Sequence, residues 1–147
     1  MTYTSDFLKT LDQRGFIAQC TDDKALDAAL GSDSSDGSSS EGSGSDGGGI
    51  VTGYIGYDCT APSLHVGNLI SILMLRRLQQ AGHRPIVVIG GGTTKVGDPS
   101  GKDESRQLLT QEKIDKNKKT IRATFQRFLT FGDGPTDAIM VDNDDWL

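Results

Sequence analysis

Tyr54-Ile-Gly-Tyr-Asp-Cys-Thr-Ala-Pro-Ser-Leu-His-Val-Gly-Asn68 is the stretch of sequence that decides the fold. The apolar and aromatic residues of 50–56 predict a short buried strand, and the turn that follows holds Pro62. A helix is predicted to begin near Leu64 or His65. The chain therefore passes from a strand to a helix within a few residues at this point.

The residues after this stretch predict a βαβ unit. The helix runs to about Ala81, where Gly82 ends it, and its apolar residues cover so much of its circumference that we expect it to be largely buried. Arg84–Ile89 follows as a second strand, and its Ile-Val-Val-Ile run is typical of a parallel strand covered on both faces. Strand, helix and strand in this order predict a right-handed crossover.

The rest of the chain extends the same pattern. Ala138–Val141 is predicted to be a third parallel strand. We therefore predict the α/β class, with a truncated Rossmann-like (HUP-type) parallel sheet and flanking helices, preceded by two short helices. The other predicted helices are Ser5–Arg14, a segment from a Thr21 cap to about Leu30, Glu104–Leu109, and Gln111–Phe131 with a Thr110 cap.

Residues 31–49 differ in composition from everything around them. They contain seven Gly, eight Ser, three Asp and one Glu, so none of them can bury apolar surface. We interpret them as a flexible linker or an engineered insert, with a disordered docking arm as the alternative. They separate the two helices of 1–30 from a folded part at 50–147. They also carry most of the net charge of −5, so the acidic balance says nothing about a basic partner.

The cysteines argue against a metal-binding protein, and the hydropathy argues against a membrane protein. Cys20 and Cys59 lie far apart, and the sequence has no CxxC pair or His/Cys ligand spacing, so we predict no protein metal site. Two separated cysteines without a signal peptide fit reduced thiols in the cytoplasm. The longest apolar run is too short to span a bilayer, so no membrane association is expected.

His65-Val-Gly-Asn68 lies at the predicted helix start, where free backbone N–H groups and the helix dipole favour a phosphate. Gly67 lets a flat ligand lie close against the backbone, and His65 and Asn68 can donate hydrogen bonds to phosphate or ribose oxygens. Thr60 adds a hydroxyl at the same rim. The alternative is a histidine that caps or packs at an ordinary helix start, but the neighbouring Gly-rich loop favours a ligand site.

That second Gly-rich loop, Gly90–Lys102, matches neither common phosphate-binding pattern. Gly97-Asp-Pro-Ser-Gly101-Lys102 has three residues where the Walker A pattern has four, and Asp103 stands where that pattern has a hydroxyl. No Gly-x-Gly-x-x-Gly follows either strand, so the dinucleotide fingerprint is missing too. The loop therefore indicates a different kind of nucleotide chemistry.

Three charged residues at or just after this loop are candidates for ligand binding. Asp98 lies in a tight turn beyond a strand end, where its carboxylate suits an ammonium group. Lys102 and Arg106, four residues apart, can face a polyphosphate together. The alternative for these two cations is a solvated basic face.

Tyr54 is a further candidate on the first strand. Alternation along the strand puts Tyr54 and Gly56 on one face, and Ile55 and Tyr57 on the other. The phenol of Tyr54 can then point into a pocket, and the alternative is a core aromatic with a satisfied hydroxyl.

Together these residues resemble the bacterial-type tyrosyl-tRNA synthetases, a family of class I aminoacyl-tRNA synthetases. The resemblance rests on Tyr54–Asn68, on Gly97-Asp-Pro-Ser-Gly101 and on Asp144-Asp-Trp-Leu147, and it covers most of the chain outside 31–49. His65-Val-Gly-Asn68 is similar to the class I HIGH signature and departs from it at the second and fourth positions. The resemblance implies that 50–147 is the N-terminal half of a Rossmann nucleotide-binding catalytic domain.

The resemblance implies a role for each candidate residue. Tyr54 would hydrogen-bond the phenol of the substrate tyrosine, and Asp98 would hold its ammonium group. The residues implied in catalysis are Thr60, His65 and Asn68. The residues implied in ATP binding are Gly56, Asp58, His65, Gly67, Asn68, Lys102 and Arg106.

The resemblance also implies a reaction and partners. ATP, with Mg²⁺ as its counter-ion, and L-tyrosine would form tyrosyl-adenylate, and the tyrosine would then pass to tRNA(Tyr). The carboxylate of the substrate attacks the α-phosphate, so the reaction needs positioning and charge stabilisation rather than a protein base. Family members are homodimers, and their tRNA-binding C-terminal domain and most of their dimer interface have no counterpart in this sequence. The alternatives are an inactive nucleotide-binding scaffold module and another class I ligase, such as a tryptophanyl-tRNA synthetase.

Overall fold

The computed structural model describes residues 3–31, 49–96 and 109–147. Residues 32–48 of the predicted linker 31–49 and nearly all of the predicted helix Glu104–Leu109 lie outside the described residues. The elements within them are α1 (Asp6–Gln13), α2 (Asp23–Gly31), β1 (Thr52–Asp58), α3 (Val66–Gln80), β2 (Arg84–Gly90), α4 (Gly91–Val96), α5 (Gln111–Phe125), β3 (Ile139–Asp142) and a 3₁₀ turn at Asn143–Asp145. None of the described helices is long and apolar enough to cross a bilayer.

The three strands form one parallel sheet in the order β1-β2-β3, which confirms the predicted α/β class and parallel sheet. Strand β1 begins and ends two residues later than predicted. Its pairing with β2 continues to Asp58↔Gly90, so the strand includes Tyr57 and Asp58, which lie beyond the predicted strand. This extension carries the strand right up to the turn that leads into α3.

The main core lies on one face of the sheet, because α3 and α5 both pack there. Tyr57, Val87 and Ile89 point from the strands into this core. Ile86 and Val88 point to the other face and are only half-buried, so the prediction that β2 is covered on both faces was wrong. The helical residues of the core are Ile72, Leu75, Ile114, Ile121 and Phe125.

Helix α3 is exposed along one side, so the prediction that it is largely buried was also wrong. Val66 is 83% exposed and Ile70 is 59% exposed. Its buried residues, Ile72, Leu75 and Leu78, all face the sheet and the N-terminal helices. The apolar composition of a helix overstates its burial when neighbouring elements cover only one side of it.

Helices α1 and α2 pack on the far end of α3 through Leu8, Leu30 and Leu78. The predicted stop after α1 is confirmed, since Gly15 has a φ of 68°. The cap of α2 is not Thr21 but Asp22, whose Oδ1 accepts the N–H of Ala25 at 2.9 Å. The helix begins one residue later than predicted because Asp22 itself fills the cap.

Helix α5 begins at its predicted cap, since Thr110 Oγ1 accepts the N–H of Lys113 at 3.4 Å. It ends at Phe125, six residues before the predicted end. The chain turns there so that the carbonyl of Thr130 can accept the N–H of Ala138 at 2.8 Å, and Gln79 holds the same turn through the N–H of Thr130. These long-range bonds end a helix whose apolar pattern continues further along the sequence.

Candidate functional site

His65 organises the junction between β1 and α3. It is the N-cap of α3, and its Nδ1 accepts the N–H of Gly67 at 3.0 Å. In return, Asn68 Oδ1 accepts the backbone N–H of His65 at 3.2 Å. Because Nδ1 is an acceptor here, the neutral imidazole carries its proton on Nε2 and offers a hydrogen-bond donor there.

The predicted free amides of this helix start are partly occupied. The N–H of Gly67 is taken by the His65 ring, and the N–H of Asn68 is bonded to the carbonyl of His65 at 3.0 Å. The N-cap side chain accepts the first of these amides and a backbone carbonyl accepts the second, so neither of the two is free in the structure. The side chains of His65 and Asn68 still offer two donors, Nε2 of His65 and Nδ2 of Asn68.

Gly67 makes the cap possible. A Cβ at this position would lie 2.7 Å from Cε1 of His65, which is closer than van der Waals contact allows. Any other residue would push the imidazole out of its place. The glycine of this motif therefore serves the position of the histidine as well as the approach of a ligand.

The outward face of β1 carries the other described candidates. Tyr54 is 74% exposed, and Gly56 and Asp58 are exposed on the same face, as the strand alternation predicts. Thr60 is exposed in the turn beyond the strand. The structure thus puts Tyr54, Gly56 and Asp58 on one face of the strand that leads to His65. Asp98, Lys102 and Arg106 lie outside the described residues.

The junction between β2 and α4 is built differently. The predicted loop Gly90–Lys102 begins with a helix, so the prediction was wrong for Gly91–Val96. The first amides of this helix are bonded by the protein itself: Asp142 Oδ1 accepts the N–H of Gly91 at 3.1 Å, and Asn143 Oδ1 accepts that of Gly92 at 2.8 Å. A Cβ on Gly91 would overlap Asp142 Oδ1 and the ammonium group of Lys118.

Ion pairs surround this second junction. Lys118 Nζ lies 2.6 Å from Asp142 Oδ2, and Lys95 Nζ lies 2.6 Å from Asp144 Oδ2. Burial alone would raise the pKa of Asp142, but the hydrogen bonds from Lys118 and from the Asp144 amide, with the charge of Lys118, outweigh it and hold that pKa below its usual value. The ionised carboxylate is therefore part of the folded structure.

Sequence reasoning missed the side chains that hold the end of β1. Thr93 Oγ1 donates to Asp58 Oδ1 at 2.7 Å, and Thr94 Oγ1 accepts the N–H of Cys59 at 2.9 Å. Asn117 Nδ2 donates to the carbonyl of Cys59 at 2.8 Å. A buried asparagine in the apolar stripe of α5 was the available signal, because such a side chain needs a partner in the core.

Cys59 is fully buried at this point, and its burial raises the pKa of the thiol to about 11. Cys20 is exposed, and both cysteines are free. Across residues 3–31, 49–96 and 109–147, no group of three or more His, Cys, Asp or Glu side chains is arranged to hold a metal ion.

Comparison with known proteins gives one family. A family described as tRNA synthetases class I (W and Y) matches residues 49–147. The tyrosine–tRNA ligase of Caulobacter sp. (strain K31) is 60% identical over 146 residues, which cover 99% of this chain and 31% of that protein. The tyrosine–tRNA ligase of Nitrobacter winogradskyi is 52% identical over 147 residues, 100% of this chain and 31% of that protein. The chain spans about 31% of the length of these curated relatives.

Solved structures give the same fold. A C-terminally truncated mitochondrial tyrosyl-tRNA synthetase from Coccidioides posadasii aligns with a TM-score of 0.69 and 24% identity, over 95% of this chain and 36% of that chain. The corresponding Aspergillus nidulans protein aligns with a TM-score of 0.52 and 25% identity, over 65% of this chain and 30% of that chain. The first likeness confirms the predicted Rossmann-like fold.

Proposed function

Because the chain belongs to the class I tRNA synthetases of the tryptophan and tyrosine type, we propose that it binds ATP and L-tyrosine for the formation of tyrosyl-adenylate. The observation that carries this proposal is the exposed junction at His65, where a strand end, a histidine cap and Gly67 meet. Relatives that are 50–60% identical to this chain are named tyrosine–tRNA ligases.

The geometry of the junction suits a nucleotide. Nε2 of His65 and Nδ2 of Asn68 are donors at the positive end of a helix of 15 residues, where His65 is exposed and Asn68 is half-buried. Thr60 adds a hydroxyl in the turn just before them. Donors that are held by a reciprocal cap need little reorganisation when charge develops on a phosphoryl group. Lys102 and Arg106 extend the same proposal towards the departing pyrophosphate.

The outward face of β1 suits the amino acid and the adenylate. A Cβ added at Gly56 would meet no other atom within 4 Å, so a ligand can lie directly on the strand there. Tyr54 on one side of it offers a phenol for the substrate hydroxyl, and Asp58 on the other offers a carboxylate. Asp98 is the proposed partner of the substrate ammonium group.

Isothermal titration of the chain with Mg²⁺-ATP tests the nucleotide part. We expect His65→Ala to weaken ATP binding at least tenfold, since it removes a donor to a charged group. Gln80→Ala, at the exposed far end of the same helix, is the matched control and should bind ATP like the parent protein. Equal ATP affinity in the parent and in His65→Ala would contradict the proposal.

Titration with amino acids separates a tyrosine site from a tryptophan site. The family description includes both amino acids, and the names of the curated relatives favour tyrosine. We expect L-tyrosine to bind and L-tryptophan to bind much more weakly. Tyr54→Phe should reduce the affinity for tyrosine about tenfold without changing stability, because the phenol is exposed. Preference for tryptophan, or no effect of Tyr54→Phe, would overturn this assignment.

The proposal extends to the later steps of the family reaction. Transfer of tyrosine to tRNA(Tyr), a homodimeric assembly and a cytoplasmic location belong to it as predictions. The inactive scaffold module is the competing hypothesis, and tyrosine-dependent exchange of pyrophosphate into ATP distinguishes the two. A scaffold would show no exchange even where it binds ATP.

A further inference from the structure

The peptide of Cys59 is held by two side chains from distant parts of the chain. Its N–H donates to Thr94 Oγ1 at 2.9 Å, and its carbonyl accepts from Asn117 Nδ2 at 2.8 Å. Thr94 and Asn117 are 7% and 6% exposed, and Cys59 is fully buried. The hydroxyl of Thr94 also donates to the carbonyl of Gly90 at 2.5 Å. The end of β1 is therefore bonded to both α4 and α5.

These bonds lie just beyond the last backbone pair of β1 with β2. Pairing between β1 and β2 ends at Asp58↔Gly90, and Cys59 is the next residue. A buried peptide without partners would be costly, so some acceptor and donor are required. Two polar side chains in the core, one of them within the apolar stripe of α5, meet that requirement and fix the direction in which the chain leaves the sheet.

Leu64 packs the turn that follows against the core, but the hydrogen bonds that hold this turn lie at its two ends. Residues 60–64 make no hydrogen bond to another described residue. The far end is fixed by the reciprocal cap of His65 and Asn68, and the near end by the bonds of Cys59. Thr60 is attached directly to the near end, so its hydroxyl moves with the Cys59 peptide.

We propose that Thr94 and Asn117 are positioning residues for ATP binding, which act by fixing the Cys59 peptide and with it the turn that carries Thr60 and leads to His65. The proposal rests on the proposed function of this junction. Neither residue touches the nucleotide. The hydroxyl and the amide set the geometry of the turn rather than merely filling the core.

Paired substitutions at Thr94 test the idea. Thr94→Val keeps the shape and removes both hydrogen bonds, whereas Thr94→Ser keeps the hydroxyl. In titrations with Mg²⁺-ATP, we expect Val to lower the affinity about tenfold and Ser to stay within about threefold of the parent. Asn117→Leu should resemble Thr94→Val. Affinity for L-tyrosine should change less than about twofold in all of them, because Tyr54 lies within the paired part of β1.

Amide hydrogen exchange supplies a readout that needs no ligand. We expect faster exchange at residues 59–65 in Thr94→Val but not in Thr94→Ser, with unchanged exchange in the N-terminal helix Asp6–Gln13. If Thr94→Val does not fold, Thr94→Ala takes its place in the same comparison. Equal ATP affinity and equal exchange in the Val and Ser variants would overturn the proposal, as would a parallel loss of ATP and tyrosine binding that follows overall stability.

The two proposals fail in different ways. If the parent chain binds no ATP, the proposed function fails whatever the variants do. Amide hydrogen exchange alone then tests whether Thr94 positions the turn. Unchanged exchange at residues 59–65 in Thr94→Val would overturn that role. If the parent binds ATP and Thr94→Val binds it equally well, the proposed function stands and the positioning role fails.

Discussion

The protein has two strand-to-helix junctions at the same edge of one parallel sheet, and they are built in opposite ways. At the β1–α3 junction, the cap comes from His65 and Asn68, which are three residues apart, and the helix start is exposed. At the β2–α4 junction, the first amides are bonded by Asp142 and Asn143, 51 residues further along the chain. Gly91 and Gly92 are buried.

This difference indicates that the first junction can bind a ligand and that the second stabilises the fold. Local caps leave the surface of α3 open, so a ligand can reach the donors of His65 and Asn68. Long-range caps at α4 tie the end of β3 to the middle of the sheet, and the ion pairs of Lys118 and Lys95 lie beside them. We infer that substitutions in the cap of α3 change binding more than stability, and that substitutions at Gly91 or Asp142, in the cap of α4, change stability more than binding.

The largest expected effect is on stability at the second junction. Asp142→Ala leaves Lys118, which is 19% exposed, without its closest partner, and removes the acceptor of the Gly91 and Asp144 amides. We expect a loss of about 3 kcal/mol in the free energy of unfolding, measured by urea denaturation at pH 7. Asp133→Ala, an exposed carboxylate in a loop, should change it by less than about 0.5 kcal/mol.

The difference in stability between the parent and Asp142→Ala should also depend on pH. The folded pKa of Asp142 is lowered, so its contribution is fully present above the unfolded value near 4 and is lost as the pH falls through the folded value. The difference in stability between the parent and Asp142→Ala should therefore be constant from pH 5 to 9 and shrink below pH 4. A difference that is unchanged at pH 3, or no difference at pH 7, would contradict the view that this junction is held by the ionised carboxylate.

The contrast between the junctions also explains what could be predicted from sequence. The strand, turn and helix around Tyr54–Asn68 and the outward face of β1 follow from local signals, namely alternation and a glycine stop. The cap of α4 depends on Asp142 and Asn143. These residues are so far from α4 in sequence that no local pattern predicts the contact. The early end of α5 has the same cause, since Thr130 bonds to Ala138 and Gln79 although apolar residues continue the helical pattern. Local sequence patterns therefore predict where the helices and strands lie, whereas long-range hydrogen bonds determine where some of them begin or end.

Matched glycine substitutions compare the two junctions directly. Gly91→Ala should cost about 2 kcal/mol, because the new methyl group overlaps Asp142 and Lys118 and forces their ion pair to shift. Gly67→Ala should be nearly neutral in stability. It displaces the His65 cap, worth about 1 kcal/mol, and gains a similar amount in helix propensity.

Binding should follow the reverse order for the same two variants. Gly67→Ala moves the imidazole, so we expect ATP affinity to fall about tenfold in titration calorimetry. Gly91→Ala should keep most of the ATP affinity at temperatures where it is folded. Equal effects of both variants on unfolding and on ATP binding would show that the two junctions do not differ in the way proposed here.

The smallest expected effect is a pH dependence at His83, away from both junctions. His83 is 7% exposed, and its Nδ1 accepts the N–H of Val51 at 3.3 Å, just before β1. Burial lowers the pKa of this imidazole, and a hydrogen bond with the backbone of Leu30 offsets only part of that effect. The neutral ring is thus the folded form, and its contribution is complete above the unfolded pKa near 6.5 and declines as the pH falls below it. Between pH 7.5 and 5.5 the parent should lose up to about 1 kcal/mol relative to His83→Gln in urea denaturation. A constant difference between the two proteins over this interval would show that His83 does not link the N-terminal helices to the sheet through its neutral form.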